Sequence, residues 1–79
     1  MEIRKVVGAN VKRLREETNL SQESFADQCG LHRTYISGVE RGVRNPTIEV
    51  VAKIAKALRV PPSVLLEPQA RVSRERRLG

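Results

Sequence analysis

Aromatic residues are almost absent from this chain of 79 residues, which holds one Phe, one Tyr and no Trp. Modules that bind single-stranded nucleic acids stack successive bases on several exposed aromatic rings. The two rings of Phe25 and Tyr35 are too few for such a platform. The composition therefore argues against a single-strand binding module.

Cysteine is limited to Cys29, so an intramolecular disulfide is excluded and a reducing interior is expected. The start of the chain, MEIRKVVG, has no long apolar segment typical of a signal peptide. No apolar run approaches the roughly 18 residues that a membrane helix needs. We expect a cytoplasmic or nucleoid-associated protein with no membrane contact.

The residue patterns of enzymes and metal sites are also missing. The sequence has no glycine-rich phosphate loop, no clustered carboxylates and too few Cys and His residues for zinc. Cys29 and His32 are three residues apart, and such a pair is a nucleophile signature in some folds. Cys29, however, shares a helical face with Phe25 and Ala26, where cysteine usually acts as a small hydrophobe. We therefore predict no enzyme, no cofactor, no metal site and no small-molecule ligand.

Positive charge, in contrast, is abundant. Fifteen Lys and Arg residues against nine Asp and Glu give a formal net charge of +6. This balance favours polyanionic partners, although many small basic proteins bind none. The length suits a single domain near the lower limit for one hydrophobic core.

The first two helices are indicated by apolar periodicity and by their end signals. Ser21 is a good N-cap for a helix over residues 22–29, and Gly30 ends that helix because glycine enters the left-handed region at low cost. Asn19 suits the end of the preceding helix, which has Arg15 at the margin of its apolar stripe. That first helix, over residues 3–18, forms the stripe from Ile3, Val6, Val7, Val11 and Leu14.

Two further helices follow on either side of a loop. The third is expected from about Arg33 to Arg41 and stops at Gly42, and Pro46 pushes its predecessor out of helical geometry. Thr47 is the next N-cap. The fourth helix carries an apolar arc wide enough to predict that it is the central packing element: Ile48, Val51, Ala52, Ile54, Ala55 and Leu58.

A short fifth helix begins at Pro61-Pro62 and carries Val64, Leu65 and Leu66. From residue 68 onward the segment PQARVSRERRLG has four arginines and few apolar residues, which predicts a flexible basic tail. No alternating strand pattern is present. The predicted fold is all-α: a compact five-helix bundle over residues 1–67, followed by the tail 68–79.

The third helix has an unusual outer face. On a helical wheel, Ile36 and Val39 fall on one side with Tyr35 beside them. An ordinary solvated helix would carry good helix formers such as Glu, Lys and Ala on the opposite side. Here a continuous arc holds residues suited to close approach in a DNA major groove: Arg33, Thr34, Ser37, Gly38 and Arg41. A basic solvated face is the alternative.

Each polar side chain of this surface has a predicted task. Arg33 suits a bidentate contact to guanine, Thr34 offers a hydroxyl and a methyl group, and Ser37 lies one turn further on. Gln22, at the start of the second helix, suits a phosphate. Further contacts to the DNA backbone are predicted for Arg41, Arg44 and Asn45.

The stretch LSQESFADQCGL-HRTYISGVERG-VRNPT resembles the Cro/phage-repressor (XRE-type) helix-turn-helix family. The resemblance covers residues 6–66 and implies a phage-repressor-like bundle in which the second and third helices read DNA. A narrower resemblance is to the controller proteins of restriction–modification systems. The matching residues are Gln22, Ala26, Gly30, Ile36, Glu40, Gly42, Pro46 and Thr47, preceded by Val11, Leu14 and Arg15.

The resemblance implies that Gln22 contacts phosphate, that Arg33 and Thr34 meet base edges, and that an Arg15–Glu40 ion pair is structural. The chain departs from the family at two positions. Gly38 stands where some relatives carry a long base-reading side chain, and His32 stands where a Ser or Asp cap is frequent. His32 is either a cap-like surface residue or a phosphate contact. The full predicted DNA-binding set is Gln22, His32, Arg33, Thr34, Tyr35, Ser37, Arg41, Arg44 and Asn45.

One recognition helix reads too few base pairs to select a genomic site, and phage-repressor-like proteins place two such helices one DNA turn apart, about 34 Å. We therefore expect a transcriptional regulator that binds a (pseudo)palindromic double-stranded operator as a homodimer through Val64, Leu65 and Leu66, unless these residues only close the core. RNA polymerase is a further candidate partner. The alternative is an antitoxin-type regulator whose tail, residues 71–77, folds on a partner protein.

Overall fold

A computed structural model describes residues 2–68 as five helices with no strand among them. Their bounds differ by no more than about one residue from those predicted, and the all-α fold class is confirmed. Met1 and residues 69–79, which hold nearly all of the predicted basic tail, lie outside the described part of the chain. The helices are α1 (Ile3–Glu17), α2 (Gln22–Cys29), α3 (Arg33–Glu40), α4 (Ile48–Leu58) and α5 (Pro62–Leu65).

The ends of the helices follow the residues that signalled them. The Ser21 hydroxyl accepts a hydrogen bond from the Ser24 amide at 3.0 Å, and the Thr47 hydroxyl accepts one from the Val50 amide at 3.1 Å. Asn19 adopts a left-handed φ of 63° after α1. Arg59 ends α4 with a φ of 61°, which no glycine or asparagine signalled in the sequence.

The core lies where α1 packs on α3, α4 and α5, while α2 closes it from the side of α3 and α4. Phe25 is its largest residue, and it is completely buried, as is Ile36. The remaining buried apolar residues are Val7, Val11, Ala26, Cys29, Val39, Ile54, Ala55, Leu58 and Leu65.

The apolar arc that predicted α4 as the central packing element is only partly buried. Ile54, Ala55 and Leu58 are buried, but Ile48 at the start of the helix is 86% exposed and Ala52 is also exposed. One part of the arc packs in the core. The other part, which includes Ile48 and Ala52, lines an open apolar groove between α1, α4 and α5. α4 nevertheless contacts three other helices, α1, α2 and α5, as many as α1 does.

α5 is one helical turn, and its three apolar residues point in different directions. Leu65 is completely buried in the core, Val64 is half-buried and Leu66 is 46% exposed. The expectation that all three form a dimer surface is therefore corrected for Leu65, which has no surface to offer. Successive residues of a helix are about 100° apart, so three adjacent residues cannot share one face.

Asn10, which was not among the predicted structural residues, joins α1 to the end of α5. Its side chain is buried, and its amide nitrogen lies 3.3, 2.9 and 2.9 Å from the carbonyl oxygens of Val64, Leu65 and Glu67. The last carbonyls of a helix lack partners within the helix, so this amide satisfies groups that would otherwise be buried unpaired. The available signal was a polar residue inside an apolar stripe.

Candidate nucleic-acid interface

α2 and α3 form a helix-turn-helix. Gly30 adopts a φ of 70° at the end of α2, and the Leu31 amide donates a hydrogen bond to the Ala26 carbonyl at 2.9 Å. Leu31 then packs against the core, which turns the chain into α3. The glycine conformation and this apolar contact together fix the direction of the second helix.

A buried ion pair ties the end of α3 to α1. Arg15 Nε donates to Glu40 Oε2 at 2.6 Å, and Arg15 Nη2 donates to Glu40 Oε1 at 3.1 Å. The Glu40 side chain is 2% exposed, and Arg15 Nη1 reaches the Leu20 carbonyl at 2.7 Å. The hydrogen bond to Glu40 raises the pKa of Arg15, so the guanidinium stays charged. Bidentate geometry of this kind fixes orientation as well as distance.

Gln22 belongs to the same network. Its side-chain amide nitrogen donates to Glu40 Oε1 at 3.0 Å, which joins the start of α2 to the end of α3. This side chain was predicted to contact a phosphate, and its bond to Glu40 is not evident from the sequence. An amide nitrogen carries two hydrogens, so one remains for an outside acceptor.

The backbones of α1 and α3 approach each other closely at Gly8. A Cβ on Gly8 would lie 2.7 Å from the Glu40 carbonyl oxygen and closer still to that of Val39. Only glycine therefore fits at this crossing. A glycine inside a helix costs about 1 kcal/mol relative to alanine, and here the cost has a packing reason.

The start of α3 is open, in contrast to its end. Arg33 and Thr34 are exposed, and no ion pair within residues 2–68 involves Arg33. His32 occupies the N-cap position with φ −79° and ψ 147°, but its side chain makes no capping hydrogen bond. The free amides of this helix end and the positive end of the helix dipole face solvent together with Arg33, which is a favourable arrangement for anions.

The loop after α3 covers one side of the helix. The Arg44 guanidinium lies 5.6 Å from the centroid of the half-buried Tyr35 ring, within cation–π range. Ser37 is half-buried, and Arg41 Nε approaches its hydroxyl at 3.4 Å. Arg41, Arg44 and Asn45 are exposed, so three predicted backbone contacts line the edge of the surface.

Gly38 does not lie on the open face, as the helical wheel had suggested. It is buried, and a Cβ at this position would lie 2.5 Å from Arg44 Cγ. The side-chain stem of Arg44 crosses over Gly38 on its way to Tyr35. The small residue therefore makes room for an arginine of the same chain, a contact that a wheel of α3 alone cannot reveal.

The alternative chemistry at Cys29 finds no support in its surroundings. The thiol is buried on the core face of α2, and burial raises its pKa to about 11. A thiol with such a pKa is not a nucleophile at neutral pH, and His32 lies exposed on the other side of the turn. Residues 2–68 contain no group of three potential metal ligands. None of their helices has the length and apolar character to cross a bilayer.

The helix-turn-helix geometry agrees with comparisons to known proteins. A control protein, C.BamHI from Bacillus amyloliquefaciens, is 48% identical over 66 residues, which cover 82% of each chain. A hypothetical transcription factor from Neisseria, NHTF, superposes with a TM-score of 0.86 at 39% identity, covering 91% of this chain and 83% of its own.

A third relative has been solved with DNA. The restriction–modification controller protein C.Esp1396I, a tetramer in complex with its natural 35-base-pair operator, has a TM-score of 0.73 at 40% identity. The comparison covers 80% of this chain and 83% of that one. The helix-turn-helix model HTH_3 matches residues 11–65, from the middle of α1 to the end of α5. The resemblance inferred from the sequence is confirmed, and the chain belongs to the HTH_3 helix-turn-helix family.

Proposed function

We propose that this protein is a transcriptional regulator that binds a (pseudo)palindromic operator in double-stranded DNA as a homodimer, with α3 in the major groove. One observation carries the proposal: Arg33 and Thr34 are exposed at the open start of a helix whose other end is held by Arg15 and Glu40. A fixed helix that presents free polar side chains suits base recognition, because the orientation of the reader is set before DNA arrives.

Direct readout is assigned to the start of α3. Arg33 reaches guanine O6 and N7 with two donors, and Thr34 offers its hydroxyl and methyl group to the neighbouring base pair. Ser37 lies one turn further along α3 and is half-buried, so its contact to DNA is secondary to those of Arg33 and Thr34. Tyr35 contributes through its ring, which positions Arg44.

Contacts to the DNA backbone are assigned to the two edges of the motif. Gln22 lies at the start of α2, and its amide holds one hydrogen for a phosphate besides the one given to Glu40. On the other edge are the exposed loop residues Arg41, Arg44 and Asn45. These contacts fix the register of the protein on DNA and carry no sequence information themselves.

The dimer is assigned to the apolar groove between α1, α4 and α5. Leu66 and Ile3 are each 46% exposed at its rim, and Ile48 is 86% exposed. Large apolar side chains clustered on the surface of a small protein mark an interaction site, and a two-fold dimer uses one such patch on both subunits. Pairing of two copies through this patch would remove the exposed side chains of Ile3, Ile48 and Leu66 from water.

The named relatives suggest the biological setting. C.BamHI is named a control protein, and C.Esp1396I is named a controller protein of a restriction–modification system. We infer the same kind of role for this chain, in the cytoplasm at the nucleoid, with RNA polymerase as the partner when binding activates a promoter. The relatives support this reading over the antitoxin alternative, whose residues 71–77 lie outside the described part of the chain.

Selection of bound sites from random double-stranded DNA tests the proposal. We expect an enriched inverted repeat whose half-site centres are about one helical turn, 10–10.5 base pairs, apart. The Arg33→Ala variant, selected in parallel, should lose preference at one base position of each half-site. Failure to enrich any sequence with the wild-type protein would contradict sequence-specific binding. Sedimentation showing only monomer, with and without the selected DNA, would contradict the homodimer.

A further inference from the structure

Lys5, on the first turn of α1, lies directly against the loop that follows α3. A Cβ on Gly42 would lie 2.8 Å from Lys5 Cγ and 3.2 Å from Lys5 Cα. The lysine stem therefore packs on the backbone of Gly42, where the chain leaves α3 with a φ of 77°. The residues on either side of this point include Arg41 and Arg44, both assigned to the DNA backbone.

The charge of Lys5 has no partner in the described part of the chain. None of the ion pairs within residues 2–68 involves Lys5, and the residue is exposed. Its neighbour Arg4 differs, because Arg4 Nε lies 3.4 Å from Glu2 Oε1. The hydrogen bonds from Arg4 lower the pKa of Glu2, so an ionised carboxylate offsets the Arg4 charge. The Lys5 charge also lowers the pKa of Glu2, but Lys5 makes no ion pair within residues 2–68, so its ammonium ion is available to an anion.

We propose that Lys5 is a phosphate-binding residue, through which α1 extends the backbone contact of the 41–45 loop. The inference rests on the proposed function, because it assumes that this loop lies along a DNA strand. An ammonium ion extends beyond the packed stem, and a strongly hydrated point charge on a flexible stem suits a phosphate whose exact position varies. The helix-turn-helix thus receives a third backbone contact region, supplied by a helix outside the motif.

A merely structural role for Lys5 predicts a different result. The ammonium ion could stabilise the negative end of the α3 dipole, since α3 ends beside it. In that role, neutralising Lys5 lowers the melting temperature and leaves the number of ions released on DNA binding unchanged. In the proposed role, neutralisation removes one phosphate contact from each subunit.

The salt dependence of DNA binding separates these roles. The probe is a mixed-sequence duplex of about 30 base pairs, long enough for two half-sites one turn apart. Each phosphate contact contributes about 0.9 to the slope of log K against log[salt], so Lys5→Gln should reduce the slope by about 1.8 per bound dimer. A rise in salt from 50 to 200 mM should then weaken the wild-type protein about twelvefold more than the variant.

Two matched variants complete the experiment. Lys56→Gln removes the same charge from an exposed position near the end of α4. Lys56 lies eight residues, or about 12 Å along the helix, from Ile48, where α4 begins after the loop. This variant should therefore keep the wild-type slope. Lys5→Arg should also keep it, because the positive charge remains. A slope for Lys5→Gln equal to that of Lys56→Gln overturns the assignment of Lys5 alone. A wild-type protein that neither binds this duplex nor enriches any sequence from random DNA overturns the proposed function itself.

Discussion

The two ends of α3 are built in opposite ways. At its end, Glu40 is buried in bonds to Arg15 and Gln22, and Gly8 brings the backbone of α1 against the last carbonyls. At its start, Arg33 is exposed and His32 leaves the helix without a side-chain cap. The difference separates two tasks within eight residues: one end fixes the direction of the helix, and the other keeps its donors free for a partner.

The largest expected effect comes from breaking the fixed end. Glu40→Gln leaves the almost fully buried Arg15 guanidinium with Glu16 as its counter-charge, 4.0 Å away on a side chain that is 57% exposed. Removal of one partner from such a pair costs about 3–5 kcal/mol, a large part of the stability of a small domain. Urea unfolding should show this loss as a lower midpoint with a similar slope.

An exposed ion pair within α1, the helix that carries Arg15, is the matched control. Arg13 Nη1 lies 3.3 Å from Glu17 Oε2, and the Glu17 side chain is 61% exposed. Glu17→Gln should cost only about 0.3–0.5 kcal/mol, because solvent screens the pair. Equal losses for the two variants would contradict the anchoring role given to Glu40.

The next effect compares two buried glycines. Gly8→Ala places a methyl group against rigid backbone carbonyls and should cost about 1–3 kcal/mol through overpacking. Gly38→Ala meets only the flexible stem of Arg44, which can move aside, and alanine favours the helix by up to about 1 kcal/mol. Thermal unfolding should therefore show a clear loss for Gly8→Ala and little change for Gly38→Ala. A large loss of stability in Gly38→Ala would instead mean that the Arg44 side chain cannot move aside.

The open end is tested by DNA binding rather than by unfolding. Arg33→Ala should cost about 1–3 kcal/mol on a selected operator and relax one base position, with no loss of stability because the side chain has no ion pair within residues 2–68. Arg44→Ala should weaken all DNA sequences alike and reduce the salt slope. Operator discrimination that survives Arg33→Ala in competition titrations would contradict its role as the reader.

The same contrast explains what the sequence could predict. Helix positions and their caps were predictable because periodicity and end signals are local, as at Ser21, Gly30 and Thr47. The open face of α3 was recognisable in part, because a helical wheel shows its exposed polar residues without knowledge of contacts to other segments. Arg15 and Glu40 were paired through family resemblance, and the sequence alone offered no distance between residues 25 apart.

What could not be predicted depends on contacts between segments distant in the chain. Gly38 lies under Arg44, Asn10 bonds to the end of α5, and Gln22 bonds to Glu40. Periodicity shows which face of a helix a residue occupies, but not which loop or side chain covers that face. Leu65 and Leu66 were inseparable for the same reason, because one turn of helix gives no periodic pattern.

The smallest expected effect concerns His32, at the open start of α3. His32 holds the N-cap position without a capping hydrogen bond, whereas Ser21 and Thr47 cap the helices on either side. His32→Ser should add about 0.5–1 kcal/mol of stability, because a hydroxyl satisfies one of the free amides of α3. Operator affinity should not change if the exposed imidazole is only a surface residue. A fall in affinity in the more stable variant would instead place His32 among the phosphate contacts. The residue at the N-cap of α3 would then serve DNA binding at the expense of helix stability.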